Sequence, residues 1–122
     1  MTSSGGNYGV HVAVATDGEI GGFVATGPSR DEDADASTGE LVAIYLRPQL
    51  WGIGVGSRLH QAGTAALAAR FNVATLWVLD SNELAHAFYE RHGWRPDGTT
   101  KTAALSGSTE IVELRYRRLL PG

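Results

Sequence analysis

Gly52-Ile53-Gly54-Val55-Gly56-Ser57 lies between a nearly continuous apolar run, Leu41–Leu46, and a segment of helical composition, Ser57–Phe71. The apolar run reads as a strand covered on both faces, and Pro48 and the glycines break it. Within the following segment Leu59, Ala62, Ala66 and Leu67 fall mostly three or four residues apart, which places them on one helix face. A second buried strand follows at Val73–Leu79. A strand–helix–strand crossover over positions 41–79 makes those two strands parallel neighbours. Backbone N–H groups at a helix start, uncovered by glycines, suit phosphate oxygens. The loop is not a Walker A loop, because Arg58 stands where a lysine and hydroxyl pair would be needed. The dinucleotide pattern G-x-G-x-x-G fails in both registers, with Ser57 or Leu59 at its last position. Such a loop can hold a diphosphate but lacks the parts for cleaving one. The plainer alternative, a tight turn that binds nothing, needs one glycine rather than three.

Working outward, Tyr8, Val10, Val12 and Val14 alternate as in a half-buried strand. Asp17-Gly18 then supplies a tight turn, and Glu19–Ala25 reads as the returning strand. Ser81 or Asn82 can cap a second helix whose inner face holds Ala85, Phe88 and Tyr89, and Gly93 ends it. The remaining residues read as two strands, about 99–105 and 109–117, turning through Ser106-Gly107-Ser108. The predicted order is β-β-β-α-β-α-β-β, a mixed α+β architecture in which two main helices pack on a mixed, twisted sheet.

The chain has 122 residues, which fits one domain over 1–122. It contains no cysteine, which excludes disulfide scaffolds, thiol nucleophiles and thiolate metal sites. His11, His60, His86 and His92 show no metal-ligand spacing, so no metal is expected. There is no G-x-S-x-G elbow to anchor a hydrolase reading. The net charge of −3 is not that of a nucleic-acid-binding protein. No apolar run approaches the roughly 20 residues that span a bilayer, and Met1–Asn7 has no signal-peptide core. The expectation is a soluble, cytoplasmic domain without membrane or nucleic-acid partners. Asp31, Glu32, Asp33 and Asp35 mark an acidic stretch, about 28–39, expected as a mobile, solvated loop; the functional alternative is an acidic rim for a cationic substrate. Trp51, Trp77 and Trp94 are expected as packing residues.

The stretch 40–59, ELVAIYLRPQLWGIGVGSRL, resembles the acetyl-CoA-binding motif of the GNAT superfamily of N-acetyltransferases. The stretch 76–94, LWVLDSNELAHAFYERHGW, resembles the strand and helix that follow it in that family, with Asn82, Ala85, Phe88-Tyr89 and Gly93-Trp94 at matching places. Together the two motifs carry the resemblance over about 40–98, and the flanking hairpins agree in order. The family loop is written Q/R-x-x-G-x-G/A. Aligned through Gly52, Gly54 and Gly56, this chain has Trp51 at the basic or amide position. A shifted register, Gln49-x-x-Gly52-x-Gly54, satisfies the formula but fits the helix less well.

The resemblance implies a GNAT-type fold whose two parallel strands splay around the pantetheine arm of acetyl-CoA. It implies transfer of acetyl to a primary amine by direct attack. The diphosphate would lie on residues 51–57, namely Trp51, Gly52, Ile53, Gly54, Val55, Gly56 and Ser57. Leu46 would end the first splayed strand, its N–H polarising the thioester carbonyl, and Asn82 would bond the pantetheine arm. Tyr89 matches the tyrosine that returns a proton to the departing thiolate; its alternative is a packed aromatic beside Phe88. Glu40 matches the position of a glutamate base; its alternative is an exposed strand-end carboxylate. Family members usually carry a strand and two helices before the first hairpin, whereas only Met1–Asn7 precede it here. The acceptor half is therefore expected to be short, open or completed by a partner subunit such as a second copy. A non-catalytic acyl-CoA-binding module is the alternative function, and a domain that binds no nucleotide is a third.

Overall fold

The computed structural model describes residues 9–104 and 109–121. The expected strand start at Tyr8, strand end at Leu105 and turn at Ser106-Gly107-Ser108 lie outside these residues. The elements are β1 (Gly9–Val14), β2 (Ile20–Pro28), β3 (Thr38–Leu46), α1 (Val55–Ala68), β4 (Val73–Leu79), α2 (Glu83–Arg91), β5 (Arg95–Ala104) and β6 (Glu110–Leu119), in the expected order. A single 3-10 turn, Pro48–Leu50, precedes α1. The first hairpin closes at Gly18, whose φ of 84° any side chain would resist; Asp17 Oδ1 accepts the Glu19 N–H at 2.9 Å beside it.

Boundaries moved for identifiable reasons. β2 continues to Pro28 because it keeps pairing with β3 as far as Pro28↔Gly39. β5 begins at Arg95, not Thr99. The added residues include an irregularity inside the strand, between the pairs Pro96↔Tyr116 and Thr100↔Leu114. α1 begins at Val55, not Ser57, because Gly54 with φ 87° takes the N-cap place.

The six strands form one sheet ordered β1-β2-β3-β4-β6-β5. Among the described residues only the β3–β4 pair is parallel, joined by the α1 crossover. The core gathers Val24, Leu41, Leu67, Leu76, Tyr89, Trp94 and Tyr116, among others, from the sheet and both helices. Full burial of a side chain such as Leu67 or Leu76 contributes roughly 1.5–3 kcal/mol. α1 approaches β2 closely at Gly63, where an added Cβ would lie 2.9 Å from Val24 Cγ2. Of the predicted helix face, Leu59 and Leu67 are buried, while Ala62 and Ala66 are half-buried and His60, Gly63 and Thr64 take the remaining buried places. Among the described residues, no helix is long and apolar enough to cross a membrane.

Candidate functional site

The sheet opens between β3 and β4. They pair only through Thr38↔Val73, Gly39↔Ala74 and Glu40↔Thr75. The register with β2 then shifts: Thr26 faces Leu41 and Ala25 faces Ala43, leaving Val42 as a bulge that bends the strand. Beyond it β3 stays with β2 to Gly22↔Leu46, and β4 stays with β6 to Leu79↔Glu113. The result is a wedge between two parallel strands. At its mouth the Arg47 N–H donates to the Gly21 carbonyl at 2.8 Å. Strand alternation therefore directs the Leu46 N–H and C=O away from β2, toward the wedge. The Leu46 carbonyl accepts the Trp51 indole N–H at 2.8 Å, so Trp51, 58% exposed, braces the strand end instead of packing in the core as the sequence suggests.

The three loop glycines have different reasons. Gly52 and Gly54 have φ of 77° and 87°, and an added Cβ at either would meet nothing within 4 Å. Backbone shape requires glycine there, and open space lies beyond. Gly56 is helical, and its Cβ would make ordinary contacts with Leu46 Cδ2 at 3.6 Å and Phe88 Cε1 at 3.8 Å. One methyl group at that point would thus touch both the β3 end and α2, which shows how tightly wedge, loop and helices converge. Among the described residues no side chain caps α1. Its first turn closes with Arg58 N–H to the Gly54 carbonyl at 3.2 Å, so the N–H groups of Val55, Gly56 and Ser57 point out of the helix end.

α2 faces the same place. Asn82 is its cap, accepting the Ala85 N–H at 3.1 Å. Tyr89 is 8% exposed, edge-on to Phe88 and Trp94 with ring centroids 5.6 and 6.2 Å away. Burial pushes its phenol up to about 12, so it remains a proton donor throughout the neutral range.

Two histidines that sequence spacing passes over complete this corner. His92 packs on the Phe88 ring at 4.3 Å; its Nδ1 lies 2.8 Å from the Phe88 carbonyl and its Nε2 3.2 Å from Ser57 Oγ. His60 is 2% exposed and accepts the Trp94 indole N–H on Nε2 at 2.8 Å. Burial, then His92 and Arg118, pushes its imidazole down to about 4. The sequence signal for His60 was its place on the buried stripe of α1; His92 carried none.

Glu40 lies inside β3, not exposed at a strand end. Its side chain is 2% exposed and takes three hydrogen bonds from Arg30: backbone N–H at 3.1 Å, Nε at 3.4 Å and a guanidinium NH2 at 2.9 Å. Six residues along a strand span about 20 Å, so Glu40 and Leu46 mark opposite ends of the wedge. The acidic stretch makes specific contacts. Asp31 accepts the Trp77 indole N–H at 3.0 Å, and Arg115 donates to Asp31, Asp33, Asp97 and Thr99. The Arg115 guanidinium holds the Asp33 carboxyl below the usual carboxylate range. Asp35 is held below it by the Ser37 and Thr38 hydroxyls. Among the described residues no group of three or more metal-ligating side chains occurs.

Comparison with known proteins agrees with this geometry. The family described as Acetyltransferase (GNAT) matches residues 3–94. An N-acetyltransferase of Streptomyces griseus is 34% identical over 79 residues, covering 64% of this chain and 40% of that protein. The crystal structure of a nourseothricin acetyltransferase superposes with a TM-score of 0.80 at 26% identity, over 94% of this chain and 66% of that one. A GNAT superfamily phosphinothricin acetyltransferase from Sinorhizobium meliloti, solved in complex with AcCoA, has a TM-score of 0.77 at 21% identity, over 93% of this chain and 61% of that one; at that identity the likeness concerns the fold. The chain thus spans about 40% of the curated relative's length. With the family match extending over three quarters of its residues, the chain belongs to the GNAT family of acetyltransferases.

Proposed function

We infer that the protein transfers the acetyl group of acetyl-CoA to a primary amine by direct attack. The observation that carries this reading is the convergence at Gly56, where the mouth of the wedge, the outward N–H groups of α1 and the aromatic face of α2 meet within one side chain's width. Fit to a diphosphate rests on the open space over Gly52 and Gly54 and the uncapped start of α1. Acetyl-CoA, when bound, supplies an activated thioester. The chain's residues then have distinct tasks. Residues 51–57 hold the diphosphate, mainly through backbone N–H groups, since Trp51 is committed to Leu46. The Leu46 N–H polarises the carbonyl oxygen as its negative charge grows. Asn82, already the cap of α2, offers its remaining amide capacity to the pantetheine arm. Tyr89 is protonated throughout the neutral range and donates to the thiolate released as the amine displaces it from the acetyl carbon. Glu40 accepts the amine's proton through water, because the length of the wedge separates it from Leu46 and Arg30 occupies its carboxylate.

The occupied Glu40 carboxylate is also what favours the second reading, an acyl-CoA-binding module without acetyl transfer. Thermal unfolding with acetyl-CoA, followed by an amine panel with thiol detection, separates the readings. Ligand at about 100 times its dissociation constant stabilises the fold by roughly 2.7 kcal/mol. Stabilisation with thiol release supports transfer, stabilisation without it supports the module, and no stabilisation at millimolar acetyl-CoA contradicts both.

A further inference from the structure

We propose that His92 is a proton-linked positioning residue of the diphosphate loop, setting whether the Ser57 hydroxyl receives or donates a hydrogen bond at the start of α1. This rests on the reading that a diphosphate binds there. The Phe88 carbonyl only accepts, so the contact at 2.8 Å places a proton on His92 Nδ1. In the neutral imidazole Nε2 is then bare and takes the Ser57 hydroxyl proton across 3.2 Å. Ser57 presents only oxygen lone pairs outward, the wrong polarity for an anion. Once Nε2 is protonated it donates to Ser57 Oγ instead. The hydroxyl proton is released to turn outward, in line with the N–H groups of Val55, Gly56 and Ser57. The imidazolium adds a positive charge beside the helix start. Both changes favour a bound diphosphate, so binding and protonation of His92 strengthen each other by linkage.

The neighbouring imidazole is committed elsewhere. From α1, His60 faces it with ring centroids 4.6 Å apart. His60 already uses Nε2 to accept from Trp94, and burial holds it neutral down to about pH 4. From α2, the Arg91 guanidinium lies 5.7 Å from the Phe88 ring centre, on which His92 is stacked. From β6, Arg118 lies beside Gly93, its Nε 3.6 Å from where a Cβ would be.

The test uses the full chain and dephospho-CoA, which keeps the diphosphate but lacks the 3′-phosphate that would itself titrate. Calorimetry in two buffers of different ionisation enthalpy, repeated between pH 5.5 and 8, should show net proton uptake on binding and affinity three- to tenfold stronger at the acid end. In His92→Gln, whose neutral amide can donate but does not titrate, uptake should vanish and affinity should become independent of pH, below the acid-end value of the unaltered protein. In Ser57→Ala the uptake should fall sharply; uptake that survives there in full would mean that charge alone carries the linkage and would overturn the hydroxyl's role. The His92 ring-proton NMR signal needs no substitution, and its titration midpoint should move upward with ligand. Binding without proton uptake overturns this inference alone, whereas no binding at millimolar ligand overturns the diphosphate reading as well.

Discussion

Lowering the pH should destabilise this protein through His60 before its carboxylates are protonated. His60 is 2% exposed, and its Nε2 is the acceptor for the indole N–H of Trp94, which is itself fully enclosed. Protonation would place a charge in the core and set one N–H against another. Burial, reinforced by His92 and Arg118, moves the imidazole from 6.5 to about 4. The unfolded chain therefore binds a proton between those values that the folded chain refuses, so stability rises with pH across this window and falls as the pH is lowered. Integrating from pH 7 to pH 5 gives a loss of about 2 kcal/mol, and the full shift corresponds to about 3 kcal/mol. Urea unfolding at half-unit pH intervals measures it. His60→Gln keeps an acceptor for Trp94 without a titrating group, and it should flatten the slope between pH 7 and 5. An unchanged slope in that variant, or an NMR titration placing His60 above pH 6, would refute the reasoning.

Other outcomes follow from the same structure. Gly54→Ala should cost about 1–2 kcal/mol, because φ of 87° forces alanine into the left-handed region. Gly56→Ala should instead gain up to about 1 kcal/mol from helix propensity, since its Cβ finds only ordinary contacts; urea midpoints read both signs. Arg115→Leu should cost roughly 3 kcal/mol by stranding Asp31 and Asp97 without their cation, and limited proteolysis should then cut within 29–37. Arg117→Leu, two residues along the same strand face but exposed, should cost far less.

Much of this architecture was written in local pattern. The order of elements, the parallel crossover and the Asn82 cap all rest on periodicity and capping chemistry within a dozen residues, and all appear in the structure. What escaped depends on partners distant in sequence. The strand expected from about 99 starts at Arg95, because β6 across the ladder pairs with Arg95 and Pro96 as well. The acidic stretch looks solvated until Arg115, more than eighty residues away, gathers Asp31 and Asp33. The bulge at Val42 that opens the wedge follows from the pairing register with β2 and has no composition of its own. Around the candidate site, the places of the glycine loop before α1 and of Tyr89 on the inner face of α2 were legible, while the Arg30 fork on Glu40 and the Ser57–His92 contact were not. Side-chain pairing across 35 residues leaves no periodic trace.

The central claim is that Tyr89 supplies a proton during acetyl transfer from acetyl-CoA, and Tyr89→Phe tests it most directly. The substitution removes one oxygen from a buried ring and leaves its contacts with Phe88 and Trp94 in place. With the best amine of the panel, kcat should fall at least tenfold while the acetyl-CoA dissociation constant changes less than twofold, a loss confined to the transition state. Turnover that survives the substitution undiminished would contradict the account.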